Sequence, residues 1–440
     1  MNRLFVLLLA FFALFPAAIL PAAGMDIREI TSPKGIKAWF VEDHTLPVIA
    51  LRFAFEGGSA QDPAGKEGLA RLMSSLFDEG AGDLDSDAFQ EQIDAAGGEM
   101  SFSAARDAIY GSMRVLSDDA KASFALLALA VNSPRFDQAP LDRIRSQILA
   151  SIEADSRDPE KAASKLWGKA LYGDHPYSRE RDGTPVSLAA IMPDDLRAFR
   201  AAQFGRSNLI VSVVGDIDEA ALKALLDQVF GGLPEQPVLA VVADVTPRLG
   251  QTLAVPFDLP QTKLVLAWPG VARDDPDFFA AFLMNHIYGG GSFSSRLFNE
   301  VREKRGLAYG VDSSLATQRH ANSLMVSTAT RSDRAAETLS IIRAEAAKLA
   351  EGGPTEQEMA DAKDYLAGSY AINNLVGSAS IASTLTELQL SGQAIDYISR
   401  RESLIRAVTP QSVQAMAKRL LLVDPAILAI GPQAVVDTLK

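Results

Sequence analysis

Cysteine is absent from the 440 residues, and histidine occurs only four times. The first absence removes disulfides, thiolate nucleophiles, iron–sulfur clusters and cysteine-based zinc sites together. The second leaves little for metal or acid–base chemistry. Positive charge is also in short supply: 42 Lys and Arg stand against 55 Asp and Glu, a net charge of −13. Such a chain has no positive field with which to hold nucleic acid or anionic lipid, so neither is an expected partner. Apolar residues are plentiful, at 48 % against 22 % charged, the mixture of an ordinary globular protein. At roughly 150 residues per domain, the length implies about three domains or two larger ones.

Arg3 precedes an apolar run from Leu4 to Leu20, interrupted by Pro16 and followed by the small residues Pro21-Ala22-Ala23-Gly24. This is the layout of a secretory signal peptide over residues 1–24, which places the mature protein in the periplasm or outside the cell, with no stable membrane association. An uncleaved anchor is the alternative, against which the run falls short of the ~20 residues a span needs. Without cysteine in an oxidising compartment, stability must come from the cores alone.

Ile49, Leu51, Phe53 and Phe55 alternate with Ala50, Arg52 and Ala54, the period of a half-buried strand. Leu69, Leu72, Met73, Leu76 and Phe77 then recur at helical spacing. A strand follows at about 108–116, helices over about 117–203, a strand at 208–215 and a helix at about 217–230. The second half repeats the order: a strand at 263–268, helices at 278–288 and about 294–304, a hairpin at about 308–330, helices over about 332–421 and a closing strand at 426–431. The pairs Asp62 and Asp275, Pro193 and Pro410, and Gly215 and Gly431 share a nearly constant offset of about 215 residues, the mark of a duplicated domain. Gly231–Pro247, with Pro234 and Pro237, reads as the linker. The expected fold class is α+β, with two homologous domains at 25–235 and 248–440, each a mainly antiparallel sheet with helices packed on one face.

The helix Gly68-Leu69-Ala70-Arg71-Leu72-Met73-Ser74-Ser75-Leu76-Phe77, and the stretch Ser295-Arg296-Leu297-Phe298-Asn299-Glu300-Val301-Arg302-Glu303-Lys304-Arg305-Gly306-Leu307-Ala308-Tyr309, resemble the M16 peptidases, or inverzincins. Pitrilysin, insulin-degrading enzyme and the mitochondrial processing peptidase belong to that family, and the resemblance spans essentially the whole mature chain. Catalytic members carry H-x-x-E-H on the first helix, where two imidazoles on one face grip zinc and the Glu activates water. A further Glu completes the ligands. Here those four positions read Arg71, Ser74, Ser75 and Ser151. No imidazole or carboxylate remains, and Arg71 sets a fixed positive charge where a cation should sit. On the bland reading these residues are the polar face of an amphipathic helix. At the offset of 213 that relates Asp62 to Asp275, the second half has Met284, Ile287 and Tyr288, which read as packing residues.

His44, His175, His286 and His320 are scattered through the chain, and no metal site is expected from them, although assembly through space is an open alternative. What the chain keeps is Arg302 and Tyr309, a helix end and the start of the next strand separated by Gly306. The resemblance implies that this Tyr stabilises an oxyanion and this Arg holds a substrate carbonyl, roles that a directed phenol donor and a forked guanidinium suit. Taken alone, the pair is an Arg on a charged helix face and a Tyr packing a strand. Gly289-Gly290-Gly291 precedes this helix without the Gly-Lys-Ser/Thr of a phosphate loop, so it reads as a mobile loop with an expected part in substrate binding.

The resemblance therefore implies a periplasmic, non-catalytic subunit. It would pair with an H-x-x-E-H partner that holds the zinc, carry no cofactor of its own, and act on extended peptides. A stand-alone peptide-binding or scaffolding protein is the alternative. A peptidase with an unrelated metal site is a third.

Overall fold

The computed structural model describes residues 25–439, and residues 1–24, expected from the sequence to be a signal peptide, lie outside them. Strands β1 (Arg28–Thr31), β2 (Lys37–Glu42), β3 (Val48–Glu56), β4 (Glu99–Ala104), β5 (Ala108–Leu116) and β6 (Leu209–Gly215) form one sheet in the order β1-β2-β6-β3-β5-β4. Strands β7 (Thr252–Pro256), β8 (Gln261–Pro269), β9 (Ala308–Thr317), β10 (Asn322–Arg331) and β11 (Ala426–Gly431) form a second sheet in the order β7-β11-β8-β10-β9. Pairing is antiparallel except between β2 and β6 and between β7 and β11. Leaving out β1, the two sheets have the same order and the same single parallel pair, so the repeat expected from the sequence offset is present in three dimensions.

The alternation along β3 decides what covers each face. Leu51, Phe53 and Phe55 join one core with the helices Leu69–Ser74, Ala120–Asn132 and Glu219–Phe230 of the same half. Phe55 stacks on Phe204 at 3.9 Å between ring centroids, and Phe53 meets Phe230 edge-on at 5.1 Å. Ala50, Trp39, Val41 and Val214 face the other way, and there the cover comes from the second half. Ala382, Leu385 and Leu388 of helix Ser378–Leu390 bury against them. Within that contact Thr386 Oγ1 bonds Ser212 Oγ at 3.0 Å, and Gln389 Nε2 donates to the same oxygen at 2.9 Å.

The relation is reciprocal. Ala163, Trp167 and Leu171 of the first-half helix Pro159–Tyr172 bury against Ala267, Ala426, Leu428 and Ile430 of the second sheet. The expected one-sided cover holds for each half's own helices, and an exchanged helix closes the second face. Full burial of one such leucine is worth about 1.5–3 kcal/mol, so the exchange couples the folding of the two halves.

The β9–β10 hairpin tip adds a polar tie. Tyr177 Oη donates to Asp107 Oδ2 at 2.5 Å and accepts from the His320 backbone N–H at 3.1 Å, while Arg319 pairs with Glu56. The connection after Phe230 has no regular structure up to β7, but it is pinned: Val238 N–H bonds the Ala202 carbonyl at 2.7 Å and Val245 N–H bonds the His320 carbonyl at 2.8 Å. No helix among the described residues is long and apolar enough to cross a membrane.

Candidate functional site

Arg302 lies on the helical segment Phe298–Glu303, whose hydrogen bonds span one residue more than those of an α-helix: Lys304 N–H bonds the Asn299 carbonyl at 3.0 Å. The segment ends where Gly306 takes a left-handed φ of 60°, returning its N–H to the Arg302 carbonyl at 2.9 Å, with Leu307 N–H on the Val301 carbonyl at 2.9 Å. A side chain at Gly306 would meet nothing within 4 Å, so backbone conformation alone demands glycine there. Glu300, paired with Lys304 and Arg305, fastens the same turn, and those two cations pull its carboxyl down to about 2.

The chain then enters β9, the outer strand of its sheet. Thr328 pairs with Val311 but Thr330 pairs with Ala308, so β9 carries one extra residue at Tyr309-Gly310. This is a bulge, and bulges re-aim side chains. Thr328 Oγ1 and Thr330 Oγ1 hold it from β10 by bonding the carbonyls of Gly310 at 2.8 Å and Leu307 at 2.7 Å. Tyr309 stands 85 % exposed, and the Arg302 guanidinium lies 4.7 Å from its ring centroid.

Two further rings hold the same guanidinium, Phe298 at 4.8 Å and Phe293 at 5.8 Å, and these rings meet each other edge-on at 4.9 Å. Phe298 is buried and Phe293 is 74 % exposed. Sequence reasoning missed both, although Phe293 stands only two residues beyond the glycine run. Gly289 and Gly290 of that run, expected as a mobile loop, lie in a helical turn. His286–Gly290 is a wide helical turn closed by Gly291 N–H on the His286 carbonyl at 2.8 Å, and Gly289 is buried. A Cβ at Gly289 would lie 2.7 Å from Ser313 Oγ, and one at Gly290 3.1 Å from the Ser313 carbonyl. The glycines let the turn sit against β9. Ser292 follows with a left-handed φ of 48°, a strained value for serine, and delivers Phe293 to Arg302.

The first-half positions form a different kind of cluster. Arg71 Nη1 donates to Ser75 Oγ at 2.7 Å, and the hydroxyls of Ser74 and Ser75 return to the Arg71 carbonyl at 2.9 and 3.1 Å. Arg71 Nε lies 3.7 Å from Asp182 Oδ1. Ser74 is buried, whereas Ser151 is exposed on helix Gln138–Ser156 and shares no hydrogen bond with the other three. Zinc needs imidazole, thiolate or carboxylate donors, and this set offers a guanidinium and three hydroxyls, so the residues present do not fit the ion. Among the described residues no three His, Asp or Glu side chains come together to hold a metal. Met284, Ile287 and Tyr288 are buried as expected, with Tyr288 Oη on the Ile342 carbonyl at 2.9 Å.

Each histidine has a local role. His44 contacts Asp216 at 2.5 Å and Glu42 at 3.2 Å, His175 bonds the Ala243 carbonyl at 2.7 Å, and His320 meets Asp244 at 2.9 Å. His286 stacks on Tyr365 at 5.1 Å.

A duplicated α+β fold that lacks the metal donors and keeps an arginine and tyrosine together in its second half defines a class, and comparison with known proteins agrees with it. Residues 39–184 match the sequence profile of the insulinase domain of peptidase family M16, and residues 190–366 match that of the peptidase M16 inactive domain. The chain belongs to the M16 peptidase family. It is 30 % identical to an uncharacterized zinc protease of Mycobacterium leprae, covering 95 % of this chain and 94 % of that one. It is 24 % identical to the non-peptidase homologue YmxG of Helicobacter pylori, over 81 % of this chain and 82 % of that one. The crystal structure of a peptidase M16 inactive domain from Pseudomonas fluorescens superimposes with a TM-score of 0.85 at 33 % identity, covering 93 % of this chain and 98 % of that one.

Proposed function

We propose that this chain is the non-catalytic subunit of a heterodimeric periplasmic M16 metallopeptidase, in which an H-x-x-E-H partner supplies the metal and the attacking water. One observation carries the reading. The zinc positions have become Arg71, Ser74, Ser75 and Ser151, while a half-buried Arg302 meets an exposed, bulge-aimed Tyr309 whose phenol has no hydrogen bond among the described residues. A phenol facing solvent on an edge strand can donate to an oxygen that becomes negative as a peptide carbonyl turns tetrahedral. The guanidinium, stacked among three rings, can fork onto a neighbouring substrate carbonyl. The free edge of β9 offers main-chain groups to an extended peptide, which suits unfolded or flexible substrates. The excess of acidic residues weakly favours basic ones. Gly289, Gly290 and Gly291 serve this site by placing Phe293.

The test is affinity capture of the tagged mature chain from its own periplasmic extract. The eluate is sequenced by mass spectrometry and assayed for zinc and for cleavage of a flexible peptide. The reading expects a similar-sized H-x-x-E-H protein, with zinc and activity present in the complex and absent from this chain alone. A solitary, metal-free, inactive chain in the periplasm would support the peptide-binding or scaffolding alternative instead.

A further inference from the structure

The second half holds a cavity of 390 Å³ between helices Phe278–Asn285 and Glu356–Asn374. In the repeat these helices stand where Leu69–Ser74 and Gln138–Ser156 stand in the first half, so the cavity is the counterpart of the degenerate zinc site. Its chemistry is different. Arg273 and Arg401 both line it, and neither forms an ion pair among the described residues. Arg401 is only 6 % exposed, with Nη1 on the Leu366 carbonyl at 2.6 Å and its guanidinium 4.1 Å from the Tyr370 ring centroid. Arg273 donates from Nη2 to Tyr397 Oη at 2.5 Å and lies 4.0 Å from the Phe278 ring centroid.

Each guanidinium has five N–H donors and stays charged in a protein. Rings and single oxygens satisfy few of those donors, and a buried cation without a counter-ion is costly. His286, on the same wall, adds no charge, because burial lowers its pKa. The rest of the lining carries no charge: the rings of Phe282, Tyr365 and Tyr370, and the polar side chains of Asn285, Ser369, Asn373 and Asn374.

We propose that this cavity binds a carboxylate carried on an apolar or aromatic body, the carboxylate forked between Arg273 and Arg401 and the body against Phe278, Phe282 and Tyr370. A carboxylate matches the planar donor forks and supplies the missing counter-charge. The rings reward an apolar body, which inorganic phosphate lacks. Two sources share this chemistry, a small free carboxylic acid and the C-terminal residue of a peptide. A second cavity of 370 Å³, which shares the walls Arg273, Tyr370 and Asn374 with the first, has room for the residues that precede a peptide's C-terminus.

The test is titration calorimetry on the mature chain alone with four probes: 3-phenylpropionate, acetyl-Ala-Ala-Phe with a free C-terminus, the same peptide as its C-terminal amide, and inorganic phosphate. Saturable binding of a carboxylate probe is expected, with the amide and phosphate at least about tenfold weaker. Equal binding of the two carboxylates assigns the small acid, and tighter binding of the peptide acid assigns a peptide C-terminus. Arg273→Gln, at a partly exposed position, is expected to weaken binding at least about tenfold while the melting curve stays unchanged. Binding no tighter than millimolar for both carboxylates, an amide or phosphate that binds as well as the acid, or an unaffected Arg273→Gln variant would each overturn the proposal. The measurement needs neither partner nor peptidase activity, so its failure leaves the subunit reading untouched.

Discussion

The guanidinium of Arg302 lies 4.7 Å from the ring centroid of Tyr309, although a left-handed glycine and a β-bulge separate the two in the chain. Tyr309 is the most exposed large aromatic side chain among the described residues. A folded protein gains little stability from such an arrangement, since exposed cation–π contacts are worth only about 0.5–1 kcal/mol. Its value lies in what it presents.

Phe293→Ala removes one wall of the arginine's cage without touching a core. Thermal stability is expected to stay within about 0.5 kcal/mol of the parent, because the ring is 74 % exposed. Losing an exposed cation–π contact should raise KM of the peptidase complex by about two- to fivefold with kcat less affected. Steady-state kinetics of the captured complex checks this.

Gly306→Ala forces a Cβ into the left-handed region with no steric clash to confuse the result. The expected cost is about 1–2 kcal/mol of stability, measured by urea unfolding, with impaired turnover as the Arg302–Tyr309 geometry loosens.

Leu385→Ala opens a cavity where the exchanged second-half helix meets the first sheet. A loss of about 2–5 kcal/mol is expected. Because each half covers the other's sheet, the variant should still unfold in one transition. Two separated transitions in calorimetry would show that the exchange does not couple the halves.

Asp62 is buried at the head of helix Leu69–Ser74, taking N–H bonds from Gly68 at 2.8 Å and Ala70 at 2.9 Å. Burial pushes its carboxyl up to about 7, against an ordinary value of 3.8. Between those values the folded state holds a proton that the unfolded state has lost, so this residue's contribution falls as pH rises from about 4 to 7. Relative to Asp62→Asn, which does not titrate, the parent should lose stability across that window by up to about 1.4 kcal/mol per pH unit. Urea midpoints at pH 4, 5.5 and 7 measure it, and a difference that stays flat with pH contradicts it.

Amphipathic segments were legible before any coordinates. The alternation of β3 and the stripe from Leu69 to Phe77 each place a hydrophobic face, and the offset between Gly215 and Gly431 exposes the repeat. The exchange was not legible, because the apolar faces of Pro159–Tyr172 and Ser378–Leu390 say that each helix must be covered and not by which sheet. Strand β4 also escaped notice, since an edge strand exposed on alternate residues carries weak burial signal. At the site, Arg302 and Tyr309 could be paired through a motif. Phe293 could not, because only the strained Ser292 turn brings it to the arginine, and Arg273 and Arg401 meet only once distant helices have packed.

The most direct test of the account is the turnover of a flexible peptide by the captured complex carrying either the parent chain or Tyr309→Phe. The substitution keeps the ring that Arg302 stacks on and removes only the exposed hydroxyl, so the partner and zinc content should be unchanged. The account predicts a fall in kcat of about 10² or more, the effect of deleting an oxyanion donor. An unchanged kcat in a complex of unchanged composition would contradict it.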